Sequence, residues 1–158
     1  MNIDIVCIGN LKEPYLREAE AEYLKRLKPY CKINIKELRE AWLPRDAGEA
    51  EEEAVRRREG EALLEAADKG YLFVLDPRGK QETSEKFAET IQNLAVEGKS
   101  TLAFIIGGSL GLSDAVRRRA DTVLSFSEMT FPHQLIRIIL LEQLYRSQKI
   151  LRGEPYHK

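Results

Sequence analysis

The sequence predicts an α/β protein built on a parallel sheet, and three observations predict it. Short apolar runs alternate along the chain with longer segments of helical spacing, giving about five of each. The run Leu102 to Ile106 is continuously apolar, rich in β-branched and aromatic residues, and too short for a helix, so it reads as a strand buried on both faces. Gly107, Gly108 and Gly111 follow it at once, letting the backbone turn sharply and a ligand approach with no Cβ in the way.

Taken in order, Ile3 to Ile8 reads as the first strand, closed by Gly9 and Asn10. Pro14 opens a helix with Leu16, Ala19, Tyr23, Leu24 and Leu27 at helical spacing, and Pro29 ends it. Ile33 and Ile35 alternate with Asn34 and Lys36, as in a half-exposed strand. Trp42 to Gly48 is a loop, and a highly charged helix follows over about Glu49 to Asp68. Its acidic and arginine blocks permit i,i+4 pairs on a solvated face. Gly70 stops that helix. Tyr71 to Leu75 is a buried strand, Asp76 to Lys80 a turn, and Ser84 the cap of a helix whose core face is Phe87, Ile91, Leu94 and Ala95. After the glycines comes a short helix capped near Ser113 and Asp114, then a strand from Thr122 to Phe126. The final helix starts by Pro132 and carries Leu135, Ile136, Ile138, Ile139, Leu140, Leu141, Leu144 and Tyr145. So many apolar residues exceed one stripe, which predicts burial on a second side, against another subunit.

A length of 158 residues fits one domain, 1–158, with a sizeable core. The net charge of -1 excludes a whole-chain polycation, yet a local basic patch suffices for nucleic acid. From Met129 onward five Lys and Arg stand against Glu142 and Glu154, so an acidic chain ends basic once it passes Glu128. The first ten residues do not resemble a signal peptide, and no run approaches the ~18 apolar residues of a spanning helix. Two cysteines make no disulfide framework; Cys7 and Cys31 read as buried thiols, which places the chain in the cytoplasm. With two histidines far apart and no cysteine cluster, no metal site is expected.

Function points to strand ends. In open α/β sheets ligands bind at the carboxyl ends of strands, and here the glycine loop, the loop before Pro132 and the end of the Tyr71–Leu75 strand supply three such ends. IIGGSLG is neither the dinucleotide fingerprint nor a P-loop. His133 in the last helix's first turn reads more readily as structural than as catalytic. The tail Arg152 to Lys158 gathers cation, ring and imidazole, a set suited to phosphate and to stacking on a base.

The segments FIIGGSLG, LSFSEMTFPHQL with its following arginine, LLEQLYR and the ending RGEPYHK together resemble the RlmH family, small bacterial methyltransferases of the SPOUT class. The resemblance covers essentially the whole chain. It implies a parallel-sheet α/β SPOUT fold with a carboxyl-terminal trefoil knot, a path that ordinary connection rules would argue against. It further implies a homodimer that uses S-adenosylmethionine to methylate N3 of a pseudouridine in large-subunit ribosomal RNA of assembled ribosomes. By the same resemblance Leu75, Gly107 and the loop Phe126, Ser127, Glu128, Met129, Thr130 and Phe131 hold the methyl donor. Arg152, Tyr156 and His157 are expected to serve RNA and turnover, with the proton taken either by His157, a chemically suitable base, or by solvent. The competing reading is a catalytically silent, ribosome-associated protein that binds S-adenosylmethionine; methyl transfer to RNA separates the two.

Overall fold

A computed structural model describes residues 1–156. Its five strands are β1 (Asn2–Ile8), β2 (Lys32–Leu38), β3 (Tyr71–Gln81), β4 (Thr101–Ile106) and β5 (Thr122–Ser125). Five helices alternate with them: α1 (Pro14–Leu27), α2 (Glu49–Ala66), α3 (Ser84–Val96), α4 (Asp114–Arg119) and α5 (His133–Leu151). The strands form one sheet in the order β2-β1-β4-β3-β5, and every pairing is parallel.

Burial follows from that order. β4 lies in the middle, and Leu102 to Ile106 are all buried, as an uninterrupted apolar run requires. β2 is an edge strand, and its alternation of Ile33 and Ile35 with polar residues is what an edge with one covered face needs. The pleat sends Ile5, Phe73, Phe104 and Ile106 to one face, against Leu27, Phe87, Ile91, Leu140, Leu141 and Leu144 of α1, α3 and α5. Phe73 and Phe104 stack at 4.7 Å, with the Phe87 ring edge-on to both. The other face sends Val6, Ile8, Val74, Ala103 and Ile105 against Leu63 of α2 and Val116 of α4.

Two local expectations are corrected. Asp76 to Lys80 is not a turn that ends the strand, because β3 continues to Gln81. Leu124 of β5 pairs with both Leu75 and Lys80, so the residues between them bulge out while the strand holds its course. Gly79 makes this possible: a Cβ there would lie 2.7 Å from the Val123 backbone. The cap of α3 is Thr83 rather than Ser84, since its hydroxyl accepts from Lys86 N–H at 3.1 Å.

α5 buries Ile138, Leu140, Leu141 and Leu144, packing on α1 and α3. Ile136 and Ile139 are half-buried, and Leu135 is exposed, as is Met129 of the preceding loop. An apolar strip thus remains on the outer side of this helix. None of the described helices is long and apolar enough to cross a membrane.

Candidate functional site

Beside the bulge of β3 and at the carboxyl ends of β4 and β5 the chain opens into a cleft of about 570 Å³. Its floor is the glycine loop. Gly111 N–H donates to Gly108 O at 3.1 Å, closing a tight turn that reverses the chain after Ile106. A Cβ on Gly107 would lie 2.8 Å from Leu112 Cδ2, a buried side chain that itself lines the cleft, so the loop fits together only around a bare α-carbon. The opposite wall is the β5–α5 loop. Ser125 Oγ donates to Ser127 O at 2.9 Å, and Met129 N–H donates to Ser127 Oγ at 3.0 Å. These bonds fold the loop back on itself.

Asp76, read from the sequence as part of a turn, is buried and ties two walls together. It accepts from Arg78 N–H at 2.9 Å and from Arg117 Nη1 at 3.1 Å, while the same Nη1 donates to Leu112 O at 2.9 Å. Arg117 also pairs with Asp114. One guanidinium therefore clamps the β3 bulge to the end of the glycine loop. No spacing rule points to this pair, because Asp76 and Arg117 come from different crossovers.

Seven of the eight residues expected around the donor line the cleft: Leu75, Gly107, Phe126, Ser127, Met129, Thr130 and Phe131. Glu128 does not; it is exposed. The cleft is also lined by His133 and Ile136 from α5. Burial, helped by Arg137 and Lys12 and opposed by Glu40, holds the His133 imidazole below its ordinary pKa, so it is neutral at pH 7. Its walls are mainly aliphatic and aromatic, with backbone amides and carbonyls of two loops between them. That donor set suits a flat heterocycle with a short flexible arm.

The tail goes elsewhere. Arg152 lies 4.6 Å over the Tyr30 ring, and Tyr156 packs against Tyr145 and Arg146, its hydroxyl donating to Glu142 at 3.3 Å. Glu154 accepts from Tyr30 OH and pairs with Lys149, which lowers the Glu154 pKa. Through Tyr156 the tail is docked on the end of α5. It sits at the far end of α5, and the rise of a helix puts His133 and Arg152 about 28 Å apart. His157 lies outside the described residues. Among the described residues no group of three metal-ligating side chains exists.

The family described as "Predicted SPOUT methyltransferase" matches residues 1–157. The chain is also 52% identical over 159 residues to "Ribosomal RNA large subunit methyltransferase H" of Clostridium acetobutylicum, with both chains covered completely. This chain belongs to the RlmH family of SPOUT methyltransferases. The proteins of the same name in Clostridium novyi and Bacillus pumilus are 53% and 51% identical, again over the full length of both chains. Among solved structures, a probable methylase family protein from Haemophilus influenzae aligns with a TM-score of 0.56 at 15% identity, covering 99% of this chain and 70% of that one. That likeness concerns the fold alone. Family membership places a methyltransferase's chemistry on a chain whose cleft opens beside the β3 bulge and the ends of β4 and β5.

Proposed function

We propose that this protein transfers the methyl group of S-adenosylmethionine to N3 of a pseudouridine in large-subunit ribosomal RNA, acting on assembled ribosomes. The observation that carries the reading is the cleft, with its bare Gly107, its apolar walls and two loops of backbone donors and acceptors, in a chain half identical to proteins named for ribosomal RNA methylation. The donor supplies an electrophilic methyl group on a sulfonium. Leu75, Leu112, Phe126 and Phe131 offer apolar contact to a heterocycle, while the backbone around Gly107 and from Ser127 to Thr130 offers hydrogen bonds to its polar edges. Holding two reactants in line is the main task of such a site and supplies about 7–11 kcal/mol. The RNA, its N3 position and the ribosomal context rest on the family resemblance of the carboxyl-terminal motifs.

The protein works as a homodimer in this reading. The supports are the apolar strip at Leu135 and Ile139 and the separation of tail from cleft along α5. If two copies of α5 pack antiparallel about a two-fold axis, the tail end of one helix meets the cleft end of the other. Arg152, Tyr156 and His157 of one protomer then reach RNA at its partner's cleft. Membership also supports a knotted carboxyl-terminal path.

The test is transfer of labelled methyl groups to assembled ribosomes and to free ribosomal RNA, with mapping of the modified nucleotide. Label at N3 of one pseudouridine, on ribosomes and not on free RNA, is expected. Donor binding with no label on either substrate overturns the enzymatic reading in favour of a silent binding protein.

A further inference from the structure

A second groove opens beside the cleft, at the carboxyl ends of β1 and β2. It measures about 450 Å³ and is lined by Gly9, Asn10, Lys12, Glu37, Arg39, Glu40 and, again, His133. His133 is the one residue that lines both spaces.

The groove is braced from below. Arg137, one helical turn after His133, is 2% exposed, the most voluminous of the fully buried side chains. Its guanidinium donates to Glu37 at 2.8 Å, to Glu20 at 3.2 Å and to Gly9 O at 3.1 Å. Gly9 and Glu37 belong to opposite walls, so one buried cation fixes the groove's width. Lys12 N–H donates to Gln134 Oε1 at 3.0 Å, and Arg17 holds the carbonyls of Leu11 and Lys12, tying the β1–α1 loop to the start of α5. A groove with walls this fixed is preorganised rather than a gap between mobile loops. Its lining is polar and carries both signs. The Lys12 and Arg39 side chains make no ion pair among the described residues, whereas Glu40 presents an acceptor near the imidazole.

Resting on the methyltransferase reading, we propose that this groove is the subsite of the acceptor nucleotide, that Lys12 and Arg39 contact its phosphates, and that His133 takes the proton from the ring nitrogen being methylated. The location suits the step. The acceptor must meet the donor's methyl group where the two spaces join, and His133 stands at that junction. The ring N–H bond breaks with its proton passing to an imidazole nitrogen, and the freed electron pair on the ring nitrogen forms the new N–CH3 bond. The electron pair of the broken C–S bond stays with sulfur, which leaves uncharged, and the imidazolium returns its proton to water. His133 is faced by Glu40 from the β2–α2 loop, Lys12 from the β1–α1 loop and Arg137 from its own helix, and burial with the two cations keeps it unprotonated and ready to accept.

The experiment pairs His133→Asn, which keeps a polar side chain of similar size, with a Lys12→Glu, Arg39→Glu double variant. Calorimetry should show S-adenosylmethionine binding of His133→Asn within about threefold of wild type, while methylation of ribosomes falls about a hundredfold and the acidic limb of the wild-type pH–rate profile disappears. The double variant should bind a pseudouridine-containing RNA hairpin at least about tenfold more weakly, with a shallower salt dependence. In the absence of donor, that hairpin should shift the His133 imidazole resonances of labelled wild-type protein. A His133→Asn enzyme with the wild-type rate and acidic limb overturns the base assignment, and unchanged hairpin binding by the double variant overturns the subsite. If wild type binds no S-adenosylmethionine, the methyltransferase reading fails instead, and the donor-free hairpin titration still decides the groove.

Discussion

The two ends of α5 differ in how they are built. The first turn, at His133 and Ile136, is half-buried between the glycine-loop cleft and the β1–β2 groove, with the buried Arg137 beneath it. The last turn is a surface mosaic in which Lys149, Glu154, Tyr30, Tyr145 and Tyr156 share ion pairs and ring contacts. Exposed pairs and cation–π contacts of this kind are worth roughly 0–1 kcal/mol each. The first end is shaped by core packing and cannot move without the sheet, whereas the second is held by replaceable contacts. A rigid cleft, the proposed donor site, and a separately docked tail about 28 Å away make sense in one enzyme if a second subunit closes the distance.

The strongest way to break this comparison is to remove one end. Truncation after Leu151 leaves every cleft-lining residue in place. Donor binding should stay within about threefold of wild type, while methyl transfer falls about a thousandfold or more through loss of RNA positioning. A truncated protein that methylates ribosomes at the wild-type rate would show the tail to be decoration. The complementary change is Gly107→Val. Its side chain must displace Leu112, so donor affinity should drop at least about a hundredfold in calorimetry, at an overpacking cost of about 1–3 kcal/mol in urea melts. Wild-type affinity in the folded variant would sink the pocket assignment.

Leu135→Glu tests the link between the ends. A carboxylate on the apolar strip should weaken the dimer at least about tenfold by light scattering, with transfer falling in parallel and donor affinity little changed. A monomer with full activity would refute the shared site. The smallest effect concerns the two thiols, Cys7 beside Arg137 and Cys31 beside Tyr30, both pushed by burial up to about 11. Alkylation by iodoacetamide at pH 8 should be slow at both until the protein unfolds. Because the raised values keep these thiols protonated in the fold, they favour unfolding as pH climbs from about 9 to about 11, so melting temperatures should fall across that window. Rapid labelling of Cys31 alone would mean that the tail end opens locally.

The sequence determined the elements and most of the cleft. Continuous apolar runs at Leu102 to Ile106 and Tyr71 to Leu75 announced buried parallel strands, and glycines after one of them marked a ligand's approach, because these signals are local and a few residues carry each one. It did not determine that β3 runs on past Asp76, since the pairing of Lys80 and Gln81 with β5 depends on a strand some forty residues later. It weighed His133 as structural because a lone histidine carries no spacing, and only packing set it between two spaces. The Asp76–Arg117 clamp and the buried Arg137 were equally silent. A charge among apolar neighbours in a helix reads as exposed until the fold brings Glu20, Glu37 and the Gly9 carbonyl around it. Tail composition pointed to RNA, but a helix's length is a property of three dimensions, and it decides that tail and cleft of one chain do not meet.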